Sequence, residues 1–197
     1  MKNVLIINGH QKYDEVAEGK LTQLFVDEAK SFLKTNNFNV KYTHIEKGYD
    51  VQEELDKFAW ADVILLQYPV YWMSVPWITK KYIDEIFSGG GNTVTYKNDG
   101  RSRDDSSKKY GSGGLMTDKK YMLSLTYNCP TSEFSNNEGF FEGLSLDEAN
   151  YAVHKVFQFC GASMLKTYSI HDIFKSDLDI NNELIKFKNT LEDNFLK

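Results

Sequence analysis

Short, continuous apolar runs alternate along this chain with longer stretches in which apolar residues recur every three or four positions. The runs cover residues 4–7, about 38–45, 63–68, 121–126 and 164–170, each of strand length. Between them, helical spacing groups Leu21, Leu24, Phe25, Ala29, Phe32 and Leu33, then Val51, Leu55 and Phe58, then Ile78, Tyr82, Ile83, Ile86 and Phe87. The same spacing groups Ala149, Val153, Val156 and Phe157, and finally Ile180, Leu184, Phe187, Leu191 and Phe195. Boundary signals agree with these elements. Asp50 with Glu53 and Ser145 with Glu148 read as capping boxes, Pro76 falls in a first helical turn, and Gly161 is a stop.

Strands separated by helices imply βαβ units, hence a parallel sheet covered by helices on both faces. Right-handed crossovers leave few topologies, and the pattern predicts an α/β, flavodoxin-like fold with five parallel strands. Residues 1–197 are expected to form one such domain. Residues 89–118 break the rhythm: they lack periodicity, hold seven of the thirteen glycines, and predict a long functional loop or a solvated insertion.

Composition narrows the function. A net charge of -5 argues against nucleic acid or an anionic membrane as partner, since both demand clustered cations. No apolar run approaches the roughly 20 residues of a membrane span, and the apolar start is too short for a secretory signal, so no membrane insertion is expected. Cys129 and Cys160 have neither metal-ligand spacing nor a disulfide framework, which predicts a reducing, cytoplasmic location. His10, His44, His154 and His171 show no metal spacing, so no metal is expected; His10, in the first loop, is the histidine to test as a site residue.

The candidate chemistry lies where strands end. In a parallel sheet the exits of strands one, three and four share one edge, where open α/β sheets bind ligands. Pro69 and Pro130 make two of these exits sharp. The strand-one exit leads through Gly19, Lys20 and Thr22 into a helix N-terminus suited to an anion. No G-x-G-x-x-G or Walker motif is present, nor the hydroxyl-rich phosphate loop of small flavodoxins. Tyr71 and Trp72 sit outside any periodic element and offer faces for a large planar ligand, with a bound flavin as the leading candidate. Trp60 and Trp77 read as core.

The segment from Val63 to Phe87, with its Pro-x-x-Trp-x-x-x-Pro-Trp-x-x-Lys-Lys-Tyr-Ile-Asp core, resembles the flavin-dependent NAD(P)H:quinone reductases. The match is closest to the modulator of drug activity B group. It extends through Asp99-Gly-Arg-Ser-Arg103, Ser107 to Leu115 and Lys119 to Thr126, and includes Val4 to Gly9 and Tyr49-Asp-Val51. It covers most of residues 1–160 and weakens beyond. The resemblance implies a homodimer with FAD at the subunit interface. It places FAD contacts on Ala17, Glu18, Gly19, Lys20, Leu21, Thr22, Gln23 and Leu24 of the first loop and helix. Further contacts fall on Val70, Tyr71, Trp72 and Met73, on Tyr110, and on Thr126, Tyr127, Asn128 and Cys129. Val70 and Tyr71 replace a glycine and a tryptophan, Tyr127 a tryptophan and Cys129 an alanine, and the first loop is one residue longer.

The implied activity is NADPH-dependent two-electron reduction of a quinone by ping-pong hydride transfer through the flavin, with no protein group as catalyst. Backbone amides near Trp72 and Met73 are expected at the flavin N5/O4 edge, and those of Tyr127 and Asn128 at N1/O2. Arg101, Arg103, Lys108 and Lys109 read either as a phosphate site or as a solvated cluster offset by Asp104 and Asp105. Azo or nitro reduction needs the same reduced flavin, and a flavin-binding regulatory subunit of a potassium-efflux system would share the architecture. A phospho-acceptor receiver is excluded, since strand one lacks an acidic pair and strand three ends in Tyr-Pro.

Overall fold

In the computed structural model, which describes residues 2–175 and 178–197, β1 (Asn3–Asn8) lies inside the sheet because both its faces are apolar. It pairs in parallel with β2 (Asn39–His44) on one side and β3 (Val63–Pro69) on the other. β3 in turn pairs with β4 (Lys120–Thr126), giving the order β2-β1-β3-β4 and then the fifth strand. This is the flavodoxin-like order predicted, with its topological switch between β1 and β3.

The fifth strand departs from expectation. It is two short pieces, β5 (Ser163–Met164) and β6 (Tyr168–Ile170), both paired with β4. The Asn194 side chain explains the break: it donates to Lys166 O at 2.9 Å and accepts from Lys166 N at 3.1 Å, drawing that backbone out of the ladder.

Alternation along each strand sends residues to two cores. Val4, Ile6, Val63, Leu65 and Met122 pack against α1 (Lys20–Thr35) and α6 (Ile180–Phe195). Leu5, Ile7, Ile64, Leu66 and Leu123 face α2 (Val51–Trp60), α3 (Trp77–Gly89), α4 (Leu146–Ala149) and α5 (Tyr151–Phe159). At roughly 1.5–3 kcal/mol per fully buried large apolar side chain, these two layers hold the sheet flat between helices.

Local readings need correction in places. Leu24 is exposed rather than core, and Trp77 is 62% exposed; Trp60 is half-buried under Lys41. Pro76 is the N-cap of α3 and lies just before its first turn. The predicted fourth helix is interrupted at Asn150, whose buried amide accepts from Tyr68 Oη at 3.3 Å and donates to Tyr127 Oη at 2.9 Å. The Ser145–Glu148 capping box is present in both directions, while Asp50 caps Glu53 N one way.

Glu54, one position from the apolar Leu55, is also buried. Thr43 and Tyr82 donate to it at 2.8 and 2.6 Å, and Lys57 neutralises it, so a charge replaces an apolar contact without an orphaned group.

Loop 89–118 connects α3 to the amino end of β4. Its two ends are packed: Thr95 and Met116 are buried, Thr95 Oγ1 donates to Phe87 O, and Met116 N donates to Cys160 O. A Cβ on Gly114 would sit 2.2 Å from the Cys160 backbone, so only glycine allows that approach. Most of residues 101–110 is exposed. Among the described residues no helix is long and apolar enough to cross a membrane, and no His/Cys/Asp/Glu group could hold a metal.

Candidate flavin site at the carboxyl edge

The exits of β1, β3, β4 and β6 enclose a cavity of about 230 Å³. Its first wall is the approach to α1. Gly19 takes φ +79°, and the amides of Glu18 through Thr22 have no acceptor among the described residues. Five free N–H groups at a helix N-terminus form an anion cradle reinforced by the helix dipole. Thr22 is only 2% exposed, lines the cavity, and its hydroxyl makes no hydrogen bond within the described residues. Lys20 adds an ammonium that has no ion pair among the described residues. His10 stands behind the turn, so close that a Cβ on Gly19 would meet its Nδ1 at 2.9 Å. Burial lowers the pKa of His10, against an opposing pull from Glu46, which favours neutral imidazole.

The second wall follows β3. Trp72 and Met73 adopt φ +47° and +66°, and Tyr71 and Ser74 exchange backbone hydrogen bonds of 2.9 and 3.1 Å across them. Two consecutive left-handed residues make a tight turn that glycine and asparagine normally occupy, at a strain of about 1–3 kcal/mol each. The turn leaves the amides of Trp72 and Met73 without an acceptor among the described residues and puts Trp72 96% into solvent. Tyr71 folds back instead: its hydroxyl donates to Gln11 O at 3.0 Å and its ring meets Tyr13 edge-on. Burial pushes the Tyr71 phenol up to about 12, so it stays a donor.

The third wall joins the exits of β4 and β6. Thr126 and Asn128 line the cavity with Ile173 and Phe174. Tyr127 does not: it is 4% exposed, its ring stacks on His171, and its amide donates to Ile170 O. The expected stacking face and N1/O2 amide of Tyr127 are therefore both overturned, whereas the amides of Asn128 and Cys129 have no acceptor among the described residues. Cys129 is off the cavity lining, and burial raises its thiol pKa, which favours the protonated thiol over the nucleophilic thiolate.

Of the anticipated residues, Ala17 through Thr22, Val70, Tyr71, Thr126 and Asn128 meet in this cavity. Gln23 and Leu24 line an adjoining polar cleft of about 700 Å³, which shares His10, Glu18, Gly19 and Lys20 with it. Trp72 and Met73 stand in the turn beside the cavity, off its lining. Tyr110 is not brought to this edge. It packs on Phe159 in a groove of about 720 Å³ between α3 and α5, near the amino end of the sheet, with Arg101 beside its ring. Arg101 is held by Asp99, so the basic cluster also lies away from the cavity of its own chain.

Sequence reasoning missed Val16, Pro69, Ile173 and Phe174 as lining residues. One signal pointed to the last two: bulky apolar residues directly after the fifth strand, outside helical spacing, must sit beside the β4 exit.

The chain matches the profile of a family described by its flavodoxin-like fold over residues 2–192. It is 39% identical over 174 residues to the NADPH:quinone oxidoreductase MdaB of Haemophilus influenzae, covering 88% of this chain and 90% of that protein. A structure from Klebsiella pneumoniae described as a candidate quinone reductase superposes with a TM-score of 0.74 at 18% identity, covering 98% of this chain and 83% of that one. General stress protein 14 of Treponema denticola, solved with FMN, gives 0.63 at 14% identity, covering 100% and 97%. The chain therefore belongs to the flavodoxin-like family and, within it, to the group of the modulator of drug activity B proteins.

Proposed function

We propose that residues 1–197 form one flavodoxin-like domain that reduces quinones with NADPH through a bound flavin, and that the flavin is FAD. The observation that carries this reading is the row of free amides around Gly19, with the unbonded Thr22 hydroxyl among them, on a cavity beside which the strained Trp72-Met73 turn stands. Amides of Glu18 to Thr22 hold phosphate, those of Trp72 and Met73 meet one edge of the ring system, and those of Asn128 and Cys129 meet the other. When bound, the flavin supplies hydride transfer between nicotinamide and quinone. The chain holds donors where negative charge collects and screens the reacting face from water with apolar rims at Val16, Trp72 and Phe174.

FAD is favoured over FMN by space. About 230 Å³ is below the roughly 300–1,000 Å³ usual for cofactor sites, and the adjoining cleft supplies room for an adenosine. The Tyr110 contact implied by the family resemblance requires a second copy, so the groove between α3 and α5 is assigned as the contact face of a homodimer. That arrangement also carries Arg103, Lys108 and Lys109 toward the other copy's site, where an NADPH phosphate is a fitting ligand. Two free thiols suit a reducing cytoplasm.

Heat release of the chromophore from purified protein, with chromatographic identification, should give FAD. Initial rates of NADPH oxidation at several benzoquinone concentrations should give parallel double-reciprocal lines, as one site used in turn requires. Reconstitution that yields no flavin spectrum would remove the proposal. Robust turnover of azo or nitro compounds without quinone reduction would redirect it to those acceptors.

A further inference from the structure

One wall of the cavity, residues 170–174, belongs to no recognisable motif, yet it is bound to the β4 exit by four hydrogen bonds. Tyr127 N donates to Ile170 O at 2.8 Å, Ile173 N to Tyr127 O at 3.3 Å, and Phe174 N to Asn128 Oδ1 at 3.3 Å. The fourth joins His171 Nδ1 to Cys129 O at 2.9 Å. We propose that His171 is a positioning residue that clamps the β4 exit, holding the Asn128 and Cys129 amides toward the cofactor. The inference rests on the flavin reading for its consequence, though the clamp itself exists without ligand.

A carbonyl oxygen can only accept, so Nδ1 carries the proton and Nε2 is left as acceptor for the Ser169 hydroxyl at 2.8 Å. The tautomer is thus set from both sides. The ring lies parallel to Tyr127 at 5.5 Å and edge-on to Phe134, and the Tyr127 hydroxyl is tied to Asn150. Burial lowers the pKa of His171, which keeps the neutral form that this tautomer requires. With the carbonyl of Cys129 and Oδ1 of Asn128 already engaged, the backbone amides of these two residues and the Asn128 Nδ2 are the donors left to a ligand.

His171→Phe keeps a ring against Tyr127 and removes the donor, whereas His171→Asn places an amide N–H near Nδ1. His171→Phe should raise the dissociation constant for FAD about tenfold, and His171→Asn should stay within about threefold of wild type. The flavin midpoint potential should become more negative in His171→Phe alone, because the lost alignment affects reduced flavin most. Equal weakening in both variants, or none in either, would overturn the clamp. If His171→Phe does not fold, Ser169→Ala takes its place, with an expected rise of about twofold to fivefold and no rise as the contrary result. Amide exchange in flavin-free protein separates this from failure of the flavin reading. Tyr127 and Ile173 amides should exchange faster in His171→Phe than in wild type, and unchanged protection would sink the clamp even where no flavin binds.

Discussion

The carboxyl-edge cavity and the groove between α3 and α5 differ in kind more than in size. The groove is the larger, at about 720 Å³ against 230 Å³, and is lined by the rings of Tyr96, Tyr110, Tyr151 and Phe159. Of its polar side chains, Lys155, Gln158 and Asp84 are already paired: Lys155 donates to Gln158, Gln158 to the Tyr121 hydroxyl, and Lys80 to Asp84. The cavity is smaller, but free amides and the unbonded Thr22 hydroxyl line it around the left-handed Gly19, and the left-handed turn at Trp72 and Met73 stands beside it. Unspent hydrogen-bonding capacity held by a strained backbone marks chemistry, whereas a broad aromatic groove marks a surface waiting for protein.

The sharpest way to break the contrast is Gly19→Val. A β-branched residue at φ +79° facing the His10 ring should weaken FAD binding about a hundredfold, read from the flavin absorbance kept after desalting. Full retention would mean that the cradle is not the phosphate site. On the groove side, Tyr151→Arg should leave a monomer by light scattering and lower FAD affinity about tenfold, since Tyr110 of a second copy is lost. A variant that stays dimeric and keeps its flavin would strip the groove of its assigned role.

Titration sharpens the comparison next. Burial lowers the pKa of His10, His44 and His171, all at or near the carboxyl edge. The unfolded chain therefore binds more protons than the folded one between their depressed values and about 6.5. Stability should be full above about pH 6.5, fall as the pH drops through that window, and level off below the folded values. Urea midpoints from pH 8 to 5 measure this, and the slope should shrink in His44→Asn; a flat profile in wild type would contradict it. The smallest effect is expected for Trp72→Ala. Its ring is in solvent, so stability should move by less than about 0.5 kcal/mol, while the Michaelis constant for quinone rises several-fold. An unchanged constant would make Trp72 irrelevant to the acceptor.

Much of the fold was legible because periodicity is a local property. Residues 63–68 read as a strand because the run is apolar but for Gln67, and α6 shows its stripe at Phe187, Leu191 and Phe195. Gly19 marked the start of α1, but many helices open on glycine and bind nothing, so the free amides around it became visible only in the fold. The split fifth strand was not legible, because it depends on Asn194 reaching Lys166 from a helix nearly thirty residues later. Trp77 reversed its expected place, and the burial of Glu54 was not anticipated, for a similar reason. A carboxylate can be buried only where Thr43, Tyr82 and Lys57 converge, and a tryptophan at a helix start is core only if something covers it.

The order of apolar runs and helical stripes thus determined, unaided, that this chain would build a parallel α/β sheet with the exits of its strands gathered along one edge. Only the folded molecule decided which groups at those exits stay free. It turned Tyr127 inward onto His171, carried Tyr110 to the far edge, and closed the cavity with Ile173 and Phe174. The physical reason is that a backbone pattern sets direction residue by residue. Whether a donor remains unpaired depends on partners that the sheet brings together from distant parts of the chain.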